Sequence, residues 1–315
     1  MRTLTRRSAL GLLTLTLGGC AVGASDGATG PSSGVTGPNA ADPTDPTDPT
    51  SPNPPTSAAT QPSEGTATAG PSAPMTPAPA MPSLVGDTRN AWAFAPLDQP
   101  DRVVVEGRVS HARAWSTSKV VIVAAYLAGV VKGDPTRLTS AQKALITRTL
   151  GESDVRALMT LRGAIPGGYQ AGMTSILRSV GDTTTVVPPQ KEGTMPWAVR
   201  DQLQFMLALG RGGVVSPAVS AFLLDHMRPV TSQRWGLGRV GATAFKGGWL
   251  RATTETRQMG ILHGYAVCLI TDAVGPAVKQ IDGEYAHEQQ LDTLAQMLSQ
   301  RLGRASATPA PTREP

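Results

Sequence analysis

The chain has 315 residues, of which 40% are hydrophobic, 4% aromatic and 16% charged, with a formal net charge of +5. Glycine (34) and proline (27) are abundant, so a globular part is diluted by a segment that cannot build a core. Two cysteines exclude a disulfide-rich scaffold and a four-cysteine zinc site.

The first predicted element is an export leader, residues 1–19. Arg2, Arg6 and Arg7 form a basic region, and Ala9 to Leu17 is an apolar stretch too short to span a bilayer. Leu17-Gly18-Gly19-Cys20 has the form of a bacterial lipobox, in which cleavage precedes a cysteine whose sulfur then carries lipid. Cys20 is therefore the predicted lipidation site and the link to a membrane. The plainer alternative is an ordinary secretory signal with a chance cysteine, and Arg6-Arg7 after Thr5 also fits a twin-arginine signal. Lipidation would leave Cys268, in the apolar run YAVCLI, as the one free thiol; it reads as a small core residue.

Residues 20–82 form a predicted tether. From residue 21 it holds 14 of the 27 prolines, no aromatic residue and no Lys or Arg, and it includes the repeat Asp42-Pro43-Thr44-Asp45-Pro46-Thr47-Asp48-Pro49-Thr50. Such a segment stays extended, with a reach on the order of 190 Å in the polyproline limit. An anchored chain of this design places its domain in the cell-wall layer, outside the cell membrane. The leader carries +3 and the tether −5, which leaves +7 on residues 83–315. That charge attracts anionic wall polymers or is dispersed arginine without a patch. No Lys/Arg cluster with interleaved aromatics occurs, so nucleic acid is not an expected partner.

The folded domain is expected over 83–303, with a disordered tail over 304–315. Asn90 to Leu97 and Arg102 to Glu106 read as a β-hairpin. Ser116 to Val131 reads as a buried helix stopped by Gly133-Asp134-Pro135. Thr139 to Gln142 is a capping box opening a helix to about Leu150. Helical patterns follow near 154–162, 170–179, 196–209 and 216–227, with Pro196 and Pro217 suited to first turns. Thr243 to Leu250, Glu255 to Leu262 and Tyr265 to Thr271 read as successive strands, and Leu291, Leu294, Leu298 and Leu302 make one stripe on a last helix. Strands at both ends with helices between them argue for an antiparallel sheet covered by helices, an α/β (α+β) fold.

Three short motifs carry chemistry. Ser116-Thr117-Ser118-Lys119 places a hydroxyl and an amine on one helix face, where burial lowers a lysine's basicity. Ser153-Asp154-Val155 follows on a helical connection, and Lys246-Gly247-Gly248 lies on a late strand ending at Trp249-Leu250. A second Ser-x-x-Lys, Ser140 to Lys143, reads as a surface helix start. The four histidines (His111, His226, His263, His287) come with no Gly-x-Ser-x-Gly elbow and read as surface or structural residues. No His/Asp/Glu grouping has metal-ligand spacing, so neither metal nor cofactor is expected. Trp115 and Trp249 would wall a cleft or pack in the core.

The order of these motifs resembles the penicillin-recognising serine hydrolases, class A β-lactamases and D,D-peptidases. Gln233 to Gly238, Phe245 to Trp249 and Arg257 to Gly260 resemble an exported, tethered actinobacterial branch of them. The resemblance covers about 110–300. It implies a five-stranded antiparallel sheet flanked by helices, with a mainly helical subdomain. It implies Ser116 as nucleophile, Lys119 as acceptor of its proton, and Ser153 as relay to the leaving nitrogen. Lys246 would draw in a substrate carboxylate, the N–H groups of Ser116 and Trp249 would form the oxyanion hole, and Gly247 and Gly248 would line the substrate strand. The implied partner of this monomer is a β-lactam or a peptidoglycan stem peptide.

Three departures stand out. Val155 replaces the family's asparagine, and Gly247 a Thr or Ser. The loop Gly181 to Gly193 holds Asp182 and Glu192 but no Glu-x-x-x-Asn, so an acyl-enzyme would hydrolyse slowly and a fast β-lactamase is not expected. The expectation is a serine hydrolase. The alternative is a non-catalytic envelope protein that keeps the fold and binds wall peptide or a protein partner.

Overall fold

A computed structural model describes residues 80–109, 111–250, 254–272 and 286–307. The predicted leader, the lipidation site Cys20, the tether as far as residue 79 and residues 308–315 lie outside the described residues. Seven strands are described: β1 Asn90–Pro96, β2 Val104–Gly107, β3 His111–Arg113, β4 Pro196–Ala198, β5 Ala244–Trp249, β6 Thr256–Leu262 and β7 Tyr265–Thr271. The helices are α1 Ser118–Val130, α2 Ser140–Thr147, α3 Val155–Gly163, α4 Tyr169–Ser179, α5 Val199–Gly210, α6 Pro217–His226 and α7 Ala286–Ala307.

The main sheet is antiparallel with the order β2-β1-β7-β6-β5. Period-two alternation divides its side chains between two cores. Trp92, Phe94, Val267 and Leu269 face the leucine stripe of α7 (Leu291, Leu294, Leu298, Leu302). Ala93, Ala95, Ala266, Cys268 and Ile270 face the larger helical layer built on α1 and α5. Small residues on that second face let α5 lie close against β1 and β7. Helix α1 is buried along Ser118 to Leu127, which explains its unbroken apolar sequence.

The start signals act as expected at two helices. Thr139 and Gln142 complete a capping box on α2, and Ser216 caps α6 with Pro217 in its first turn. Pro196 differs. It opens the short strand β4, which pairs with β3 across His111–Ala198, Ala112–Trp197 and Arg113–Pro196, and α5 begins only at Val199. A proline that opens an edge strand needs no ladder N–H, so this position suits it as well as a first helical turn. After α2 the chain continues as one wide π-type turn, Arg148–Glu152, and α7 carries the C-terminal helix to Ala307.

Candidate active site

Ser116 sits in a 3-10 turn, Trp115–Thr117, that leads directly into α1. Trp115 before it is left-handed (φ 45), an uncommon conformation for a bulky residue that marks a constrained turn. One helical turn on, Lys119 is 4% exposed, and its Nζ lies 2.7 Å from the Ser116 Oγ. Ser116 itself is half-buried.

The second motif closes over this pair. Ser153 follows the wide turn in the left-handed conformation (φ 62, ψ 24), and Asp154 then caps α3 through the N–H groups of Arg156 and Ala157. That geometry turns both polar groups of Ser153 toward the site. Its main-chain carbonyl accepts from Lys119 Nζ at 3.0 Å, and its hydroxyl lies 2.6 Å from Lys246 Nζ. Lys246 is fully buried in β5 and also donates to the Gly247 carbonyl at 2.9 Å. The structure thus brings Ser116, Lys119, Ser153 and Lys246 into one hydrogen-bonded group. Burial lowers both lysines: Lys119 to about 8, offset by the nearby carboxylates of Glu192 and Asp154, and Lys246 well below the usual lysine range, reinforced by the charge on Lys119.

The two glycines of the third motif have separate reasons. A methyl group added at Gly248 would lie 2.8 Å from the Ala114 carbonyl oxygen and 3.0 Å from the nitrogens of Ser116 and Thr117. Only glycine lets β5 press against the turn that carries Ser116. At Gly247 an added methyl would meet the Trp249 ring at 3.2 Å on the opposite face, so the indole fills the space a hydroxyl-bearing residue would use. Trp249 packs edge-on against Trp235 (5.2 Å between centroids) and Trp115 is buried, so both indoles serve packing. Val155, at the first position of α3, is 61% exposed and offers no polar group. At Lys119 the Ser153 carbonyl supplies a hydrogen-bond acceptor from the main chain.

Two further residues belong to the site's frame. Glu192, in the loop before β4, is buried, forms a 2.5 Å ion pair with Arg162 of α3, and acts on Lys119 through its charge. Asp182, the other acid of that loop, instead receives the N–H groups of Thr184 and Thr185. Arg257 of β6 is wholly buried. It donates twice to Gln202 Oε1 and also to the carbonyls of Ala112, Arg113 and Trp197. Gln202 passes this on to the Thr117 hydroxyl at 3.1 Å, next to Ser116. Neither Glu192 nor Arg257 carries a spacing signal. Arg257 was legible only as part of a shared sequence stretch.

The remaining polar candidates stand apart from Ser116. Ser140 and Lys143 are exposed on α2. His226 stacks on Phe222 at 4.0 Å, His263 is held by Ser299 in the turn after β6, and His287 is buried against Trp235. For His111 the structure describes only its place in β3. Cys268 is buried, which pushes its thiol up. Among the described residues no group of His, Cys, Asp and Glu has the makings of a metal site.

No protein-family model and no curated relative matches the chain. Solved structures do. A β-lactamase from Chitinophaga pinensis is 17% identical, with a TM-score of 0.54 over 70% of this chain and 94% of that one. PBP-A is 20% identical, with a TM-score of 0.54 over 71% and 93%. A class A β-lactamase representative from Bacteroides cellulosilyticus is 12% identical, with a TM-score of 0.54 over 69% and 93%. With the five-stranded antiparallel sheet and its helical layers, these likenesses establish that the chain has the β-lactamase and transpeptidase-like fold.

Proposed function

We propose that this protein is a surface-anchored serine hydrolase in which Ser116 accepts an acyl group from a β-lactam or a cell-wall peptide amide. The observation that carries this reading is the 2.7 Å contact between a half-buried Ser116 Oγ and a desolvated Lys119 amine. A hydroxyl needs a base and fixed donors to become an acyl acceptor. The Lys119 and Lys246 amines supply the basic groups. The main-chain N–H of Ser116 and that of Trp249, at the end of the strand pressed against it, are the proposed oxyanion donors. Ser153 stands between the two lysines, where a proton can pass to a leaving nitrogen. The lipobox at Cys20 and the proline-rich tether support placement on the outer face of the membrane, with the domain in the cell wall.

Val155 favours a second reading, an envelope protein that binds wall peptide or a protein partner without turning it over. One experiment separates the two. The full chain is incubated with a penicillin and weighed intact, with Ser116→Ala beside it. The hydrolase reading expects a single covalent adduct that the Ser116→Ala protein lacks. An unmodified chain with all of the drug remaining would sink the β-lactam-reactive form of that reading and leave the binding protein or a substrate unlike penicillin.

A further inference from the structure

Arg257 is tied to both sides of the turn that carries Ser116. Its main chain stands opposite Gly248, the residue before Trp249, in the ladder of β5 and β6. Side chains of paired residues leave the sheet on one face, so the guanidinium projects toward the turn against which Gly248 is pressed. There it donates to the carbonyls of Ala112 (2.8 Å) and Arg113 (3.3 Å), on the chain entering the turn. It also donates twice to Gln202 Oε1, at 2.6 and 3.1 Å. Gln202 Nε2 donates to the Thr117 hydroxyl at 3.1 Å, on the chain leaving the turn, and that hydroxyl donates to the Ala114 carbonyl at 2.5 Å. Arg257, Gln202 and Thr117 are all fully buried. Residues 112, 113, 114 and 117 are thus tied to one guanidinium, and only Trp115 and Ser116 lie between the ties. Trp115 is left-handed (φ 45), a conformation that a bulky residue keeps only where its surroundings over-determine it.

We propose that Arg257 and Gln202 are the positioning residues of the oxyanion hole. The proposal rests on the acyl-enzyme reading, in which the main-chain N–H groups of Ser116 and Trp249 receive the developing negative charge. Those two groups come from separate elements, a turn and a strand, and stabilise an oxygen only when both stand at hydrogen-bond distance from one point. Arg257 refers both to the same residue. The β-ladder fixes it to the strand of Trp249, and the chain through Gln202 and Thr117 fixes it to the turn of Ser116. A network that served stability alone would join any two surfaces of the core. This one closes around the two residues whose dihedrals set the direction of the Ser116 N–H. Thr117 is its last link. The hydroxyl there accepts from Gln202 and donates to Ala114 at once, so the position needs the hydroxyl and not only the volume.

The test separates rate from binding and from stability. The full chain is reacted with a penicillin at several concentrations, and intact mass gives the saturating acylation rate and the half-saturating concentration. Thr117→Val keeps the side-chain volume and removes the last link. Its saturating rate is expected to fall ~10- to 100-fold, with the half-saturating concentration within about twofold, because a displaced N–H is felt in the transition state and not in the encounter. Thr117→Ser restores the hydroxyl and is expected to recover the rate to within about threefold. Gln202→Glu carries the test if Thr117→Val does not fold. Its carboxylate still accepts from Arg257 but has no N–H for Thr117, so the rate is expected to fall while the urea midpoint holds. A Thr117→Val or Gln202→Glu protein that acylates at the parent rate, whatever its stability, overturns the proposal and leaves the network structural. So does a Thr117→Ser protein as slow as Thr117→Val. A parent chain that forms no adduct overturns the acyl-enzyme reading itself and the proposal with it; a parent adduct with equal rates in the variants removes the positioning role alone.

Discussion

Ser153 serves both lysines from a single left-handed residue, its carbonyl toward Lys119 and its hydroxyl toward Lys246. This arrangement makes Val155→Asn informative. The position is 61% exposed, so the change costs under about 0.5 kcal/mol in stability. An asparagine there restores the residue that the resemblance implies, and on the acyl-enzyme reading we expect faster acylation by penicillin, measured as the rate of adduct formation. Lys119 makes a prediction in pH. Its folded value, about 8, lies below the ordinary 10.5, so between these values the unfolded chain binds more protons than the folded one. Stability therefore rises with pH through that window, and the burial penalty is fully present below 8. Lys119→Met should remove a slope of up to roughly 1.4 kcal/mol per pH unit, read from urea unfolding at several pH values.

At the scale of elements, the site is a meeting of β5 with the turn before α1, and Gly248 is the point of closest approach. Gly248→Ala would drive β5 away from the Ser116 nitrogen. A shift of about 1 Å is enough for a hundredfold loss, so acylation should fall steeply while unfolding stays cooperative. The elements that position this contact were legible in the sequence because their periodicity is strong. Strand β7 is a near-continuous apolar run buried on both faces, the leucine stripe of α7 buries one, and the three motifs mark where lysine and serine meet. Other features left no such mark. Strand β4 has three residues, too few for a period, so from sequence alone Pro196 reads as a helix start. Glu192 reaches Lys119 from a loop whose path depends on tertiary ties, among them Tyr169 to the Pro188 carbonyl and Gln170 to the Val187 carbonyl. The left-handed turn at Ser153 follows from the wide turn before it, which local propensity does not announce.

At the scale of the molecule, Arg257 joins the main sheet to the β3–β4 pair and, through Gln202, to the turn that carries Ser116. A buried cation with no paired carboxylate among the described residues is sustained by that set of carbonyl acceptors. Arg257→Met would strip three carbonyls and Gln202 of their donor, and we expect a loss of about 3 kcal/mol, seen as a lower urea midpoint. The strand order has a consequence in time. β1 pairs with β7, Asn90 opposite Thr271, and β7 is also the partner of β6, which carries β5. The sheet cannot close on a growing chain until residue 271 has been delivered. Ser116 is made early, yet its turn has no wall until Gly248 arrives, and that wall has no support until the final strand docks. The group of Ser116, Lys119, Ser153 and Lys246 therefore comes together only after the last strand of the sheet has paired.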